Sequence, residues 1–165
     1  MRRGVSRAAL VTLGALACNN GLQPVPVCPP GFLGICGTVA FRGAVPDSTQ
    51  AVFIVAFDSF PQTLSDLFKF KPASPVPLPR DRPTFKYAVP LPNGRYQWVL
   101  AVWEKVGTLT PLTAGTLLQE TGFYRDASDT TKPGVVVVDG TRTGIDFVID
   151  FGNRHPVCSY FPPCP

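Results

Sequence analysis

The sequence predicts an all-β fold: a single seven-stranded antiparallel sandwich of two sheets, with one long insertion and short Cys- and Pro-rich ends. Three observations carry this expectation. The 165-residue chain holds 19 prolines and 15 glycines, and proline removes a backbone donor and clashes with the preceding turn, so long helices are disfavoured. Apolar and polar residues alternate with a period of two in segment after segment, the spacing of half-buried strands. Gly, Pro and Asn fall between those segments, where turns need them. A chain that is 45% hydrophobic and 16% charged also has the apolar content of a packed domain, and its length suits one domain rather than two.

The first seven residues carry Arg2, Arg3 and Arg7 and no acid, and 8–17 is an uncharged, mainly apolar run. This is the layout of a secretory signal. As a helix the run rises only about 15 Å, too short to span a bilayer. It ends in Gly14-Ala15-Leu16-Ala17-Cys18, which resembles the lipobox of bacterial lipoproteins, where small residues precede a cysteine that is lipidated and becomes the new N-terminus. Ala15 departs from the commonest choice, leucine, and Leu16 is out by one. The resemblance implies that residues 1–17 are a signal peptide, that Cys18 is the lipid attachment site, and that several acyl chains anchor the protein stably to membrane. Asn19 is not the aspartate associated with inner-membrane retention, so the outer membrane is expected, with the domain facing the periplasm or the cell surface. An ordinary signal peptide with a soluble product is the alternative. Losing the three arginines takes the formal charge from +4 to about +1, which argues against nucleic acid as a partner. Residues 18–35 read as a tether stiffened by Pro24, Pro26, Pro29 and Pro30.

The sandwich is expected over 36–152. Its first strand, 38–42, puts Val39 and Phe41 on one face, and 51–57 is apolar on both. In 84–91, Phe85, Tyr87, Val89 and Leu91 alternate with Lys86 and Ala88; Pro92-Asn93-Gly94 then offers a tight turn, since Asn-Gly accepts positive φ. Residues 95–104 would return as the hairpin partner. The strands 117–124, 134–139 and 143–151 follow, the last with Ile145, Phe147, Ile149 and Phe151 inward and Asp146 and Asp150 outward. One short helix is expected near residues 64–68. The run Leu91-Pro92-Asn93-Gly94-Arg95-Tyr96 resembles the hairpin of carboxypeptidase-regulatory-like and prealbumin-like (transthyretin-like) sandwiches. Such domains are accessory modules in many envelope proteins, so the likeness implies a fold rather than an activity.

Four cysteines remain beside Cys18, an even number that in an oxidising compartment favours two disulfides. Cys28–Cys36 and Cys158–Cys164 are preferred, because each pair shares a short Pro-containing segment; crossed pairings would tie the termini together. The second lies in a Pro- and Cys-rich tail, 153–165, with His155, the sole histidine. A lone tail histidine makes a poor general base. Asp146 and Asp150 sit about 13 Å apart on one strand, too far for a glycosidase pair. No phosphate loop, HExxH or CxxC occurs. The protein is therefore read as a non-enzyme without a cofactor.

Two features suggest contact with a partner. On 95–105, Tyr96, Trp98, Leu100 and Val102 share an apolar face, whereas Trp103 shares the other with Arg95, Gln97 and Lys105. Trp103 is thus the candidate exposed aromatic, able to stack on a sugar. The insertion 59–83 is unusually long for a sandwich connection. Its Phe60, Leu64, Leu67, Phe68 and Phe70 need burial, and the outer face of 51–57 needs a cover, so the insertion is expected to fold across that strand. Its Lys69, Lys71, Arg80 and Arg82 could meet lipid phosphates or an acidic glycan. The function expected is a non-catalytic, lipid-anchored interaction or structural module of the cell envelope, binding an unknown envelope protein; the alternative is a glycan-binding module using Trp103 and the basic insertion.

Overall fold

A computed structural model describes residues 28–72, 75 and 77–160. The signal segment, Cys18, Cys164 and the side chain of Cys158 lie outside what is described, and with them the lipid site and the Cys158–Cys164 pairing.

The fold is all-β, as the sequence predicts, but among the described residues the strands number ten rather than seven. They are β1 (Gly34–Arg42), β2 (Thr49–Phe57), β3 (Thr84–Pro90), β4 (Gly94–Tyr96), β5 (Trp98–Lys105), β6 (Leu118–Phe123), β7 (Val136–Val138), β8 (Thr141–Arg142), β9 (Phe147–Asp150) and β10 (His155–Pro156). The helical pieces are one turn of α-helix, α1 (Ala114–Leu117), and 3-10 turns at Leu64–Phe68 and Val157–Tyr160. In the first sheet β1 pairs antiparallel with β3 and, along its other edge, parallel with β8 and β9. The expectation of a purely antiparallel sandwich is corrected there. The second sheet runs β10-β6-β5-β2, all antiparallel. A small ribbon pairs β4 with β7.

The Pro92-Asn93-Gly94 turn does not close a hairpin. β3 stays on β1, whereas the segment after the turn breaks at Gln97: β4 pairs with β7 and β5 with β2. The turn thus carries the chain from one sheet to the other. The Tyr96 hydroxyl donates back to the Pro92 carbonyl at 2.9 Å and holds this corner.

The break at Gln97 inverts the expected faces of β5. Val99, Ala101 and Trp103 point into the core between the sheets, with Ile35 and Val39 of β1, Tyr87 of β3 and Ile149 of β9. Trp98, Leu100 and Val102 point outward, into a second apolar cluster. That cluster exists because the insertion folds across the outer face of β2, as expected. Phe60 stacks on Trp98 at 4.7 Å, Leu67 is buried, and Phe70 packs edge-on to Phe57 at 6.4 Å. Lys71 exchanges two backbone hydrogen bonds with Ala56, and Leu78 N–H donates to Val52 O, so the later insertion lines the free edge of β2. The chain after β9 is not a free tail either. β10 extends β6, Val157 is buried, and Tyr160 packs edge-on to Trp98 at 5.1 Å.

Of the preferred disulfides, Cys28–Cys36 is formed, with Cα atoms 5.6 Å apart. It ties the segment before β1 to that strand. On the opposite flank the sheets close together at Gly122, where an added Cβ would lie 1.9 Å from the Val148 carbonyl oxygen.

Candidate functional site

A polar cleft of about 600 Å³ runs along this closed flank, between the edge of the first sheet at β9 and that of the second at β6 and β10. The first sheet contributes Arg42, at the end of β1, and Asp146 and Asp150 around β9. Alternation along β9 puts both carboxylates outward, because Phe147 and Ile149 fill the core. The Asp146 carboxylate accepts the Thr38 backbone N–H, and that of Asp150 accepts Gly152 N–H at 2.8 Å.

The second sheet contributes Glu120, His155, Tyr160 and Arg125. Antiparallel pairing sets His155 opposite Glu120, so both side chains leave the same face. Glu120 is only 3% exposed. Burial pushes its carboxyl above the usual glutamate range, against the pull of the Tyr160 hydroxyl, His155, the Gly122 N–H and Arg125. The Tyr160 hydroxyl donates to Glu120 Oε2 at 2.7 Å, and burial beside this carboxyl raises the phenol's own pKa. A carboxyl held between a phenol and a backbone amide fastens the chain after β10 to the sheet, so we read Glu120 as an anchor facing the cleft rather than as a reacting acid. The Arg125 guanidinium lies over the Phe123 ring at 4.4 Å and donates to Thr130 O, which removes that ring face as a stacking platform.

The ion pairs Lys69–Asp66, Arg82–Asp81 and Lys132–Asp129 all lie outside the lining of the cleft. Within it, among the described residues, Arg42 and Arg125 form no ion pair with Glu120, Asp146 or Asp150. Arg42, Asp146 and Asp150 therefore bring charges of both signs to one cleft without an ion pair among them.

The residues singled out from sequence fare differently. Trp103 is not exposed: it is 3% accessible, donates Nε1–H to Thr49 Oγ1 at 2.7 Å and is covered by the Arg154 guanidinium at 5.1 Å. It cannot stack on a sugar, because the second sheet turns it into the core. Nor do the insertion's cations converge. Lys69 pairs with Asp66 at 2.7 Å and Arg82 with Asp81 at 3.1 Å, while Arg80 donates to Thr49 O at 3.0 Å. Lys71 is exposed and sits beside Ala56, about 23 Å along β2 from Thr49.

The sequence reading missed Glu120 and Tyr160 and read His155 as a tail residue. The signal available was weak: Glu120 occupies the same strand alternation as buried Leu118, and Val157 and Tyr160 put apolar groups in a supposed tail. Among the described residues no cluster of three His, Cys, Asp or Glu is placed to hold a metal ion, and no helix is long and apolar enough to cross a membrane. No protein-family model, no curated protein and no solved structure matches the chain.

Proposed function

We propose that this protein is a lipid-anchored module of the cell envelope whose β-sandwich holds a partner, without catalysis, in the cleft between β9 and β6. The lipobox-like run ending at Cys18 supports the anchor. The observation that supports the binding role is that Arg42, Asp146 and Asp150 bring charges of both signs to one cleft without an ion pair among them. Solvated charges that already neutralise one another give little to a partner, whereas separated ones can select a complementary surface and steer its approach.

Two experiments test the two halves. Mass spectrometry of the cell-derived protein is expected to find an acylated N-terminal Cys18, and Cys18→Ser to move the chain from the membrane to the soluble fraction. A photo-crosslinker at Asn153, in the cleft lining, is expected to capture a defined partner in intact cells, whereas one at exposed Val137 of β7 does not. Arg42→Glu should abolish the Asn153 product. Equal capture from both positions, or capture indifferent to Arg42→Glu, would defeat the binding reading.

A further inference from the structure

The second apolar cluster is not completely filled. Between the outer face of the second sheet and its cover remains an apolar cavity of about 200 Å³ that shares no lining residue with the polar cleft. Phe53 and Val55 of β2 and Leu100 and Val102 of β5 form its floor, Leu67 of the insertion its roof, and half-exposed Leu109 its mouth. Protein interiors pack with few voids larger than a water molecule. A cavity of about 150 Å³ lined by such side chains stays dry and takes up small apolar molecules.

One polar side chain enters this lining. Glu104 lies at the end of the outward face of β5 and is 6% exposed. It accepts one long hydrogen bond, from Gln50 Nε2 at 3.4 Å, and the Gln50 Oε1 is itself occupied by Gly107 N–H at 3.3 Å. A carboxylate in apolar surroundings is costly unless a donor or cation meets it. An apolar pocket with one oriented polar group is the usual build of a small-molecule site. The unfilled apolar volume and a carboxylate at its edge that no cation meets call for the same molecule, one with an alkyl body and a cationic donor head.

We propose that this cavity binds a small alkylammonium compound, its chain between the second sheet and the insertion and its ammonium on the Glu104 carboxylate. The roof belongs to the insertion, so the long segment between β2 and β3 gains a role beyond covering the strand.

The test is calorimetric titration of the full chain with n-octylamine, n-octanol and octanoate, each against a protein-free blank. Octylamine is expected to bind saturably at one site with Kd below about 1 mM, and octanoate not to bind. Glu104→Gln should weaken octylamine by about tenfold or more and leave octanol unchanged. Val102→Phe fills the floor and should abolish both; Leu109→Trp, at the half-exposed mouth where folding is not at stake, should weaken both. Non-saturable uptake of octylamine, equal binding of octanoate, or octylamine affinity unmoved by Glu104→Gln would each overturn the assignment.

Discussion

Truncating Leu67 to alanine measures whether the insertion is part of the folded core. Leu67 is 3% exposed and packs in the second apolar cluster with Val55, Phe57 and Leu100. The substitution removes three carbons, at about 0.8 kcal/mol each. Leu→Ala changes in cores usually cost more, because a new void is left behind. Here the side chain already borders a cavity of about 200 Å³ open toward Leu109, so the added void carries little further penalty. The expected loss is therefore about 2.5 kcal/mol, near the bottom of the range for such changes. For a domain of this size that lowers the melting midpoint by about 10 °C. Urea unfolding under non-reducing conditions, followed by tryptophan fluorescence, reads it directly, because Trp98 is fully buried against Phe60 of the same insertion. The urea midpoint should fall with the slope unchanged. Phe68→Ala, beside it but 39% exposed, should stay within about 0.5 kcal/mol of wild type. If Leu67→Ala and Phe68→Ala cost the same small amount, the insertion is not packed as a cover, and both the second cluster and the cavity beneath it lose their basis.

Three further outcomes are expected. Gly122→Ala places a methyl group 1.9 Å from the Val148 carbonyl oxygen, a backbone clash that cannot relax by rotating a side chain; a loss above about 3 kcal/mol is expected, and a normal urea midpoint would show that β6 and β9 do not close the flank. Replacing Cys28 and Cys36 by serine frees a loop with a sequence separation of 8, and chain-entropy reasoning gives a loss of about 2.5 kcal/mol, checked by comparing unfolding of the variant with that of oxidised wild type. Because burial raises the Glu120 carboxyl in the folded state, the native protein holds that proton more tightly than the unfolded chain. The stability this contributes is complete below the ordinary value of 4.5 and is lost as pH rises through the folded value. In Glu120→Gln the decline of the urea midpoint with rising pH should be shallower, the remainder coming from Glu104, which burial also raises; parallel curves for the two proteins would refute the assignment.

The sequence by itself determined what depends on local pattern. Proline, glycine and period-two alternation specified an all-β chain and located its longer strands, though not β8, β10 or the break between β4 and β5, since turn chemistry and pleat act over a few residues. The short spacing of Cys28 and Cys36 indicated their pairing, and the surplus of apolar side chains in the insertion and in 51–57 indicated that one covers the other. What the tertiary structure decided is which side of a strand meets which layer. The segment 95–105 shows why: Arg95 and Gln97 lie before the break and belong to the ribbon or the corner, so their polarity says nothing about β5, whose two faces are both buried. Alternation distinguishes faces only when one of them meets water, and without that contrast Trp98 and Trp103 could not be told apart. The polar cleft was hidden for a related reason. Glu120, His155 and Tyr160 meet only because β10 pairs with β6, and Arg42 and Asp150 join them only because β1 and β9, distant in the chain, run parallel side by side. Pairing across such separations is set by the packing of the whole domain, which no local window of sequence contains.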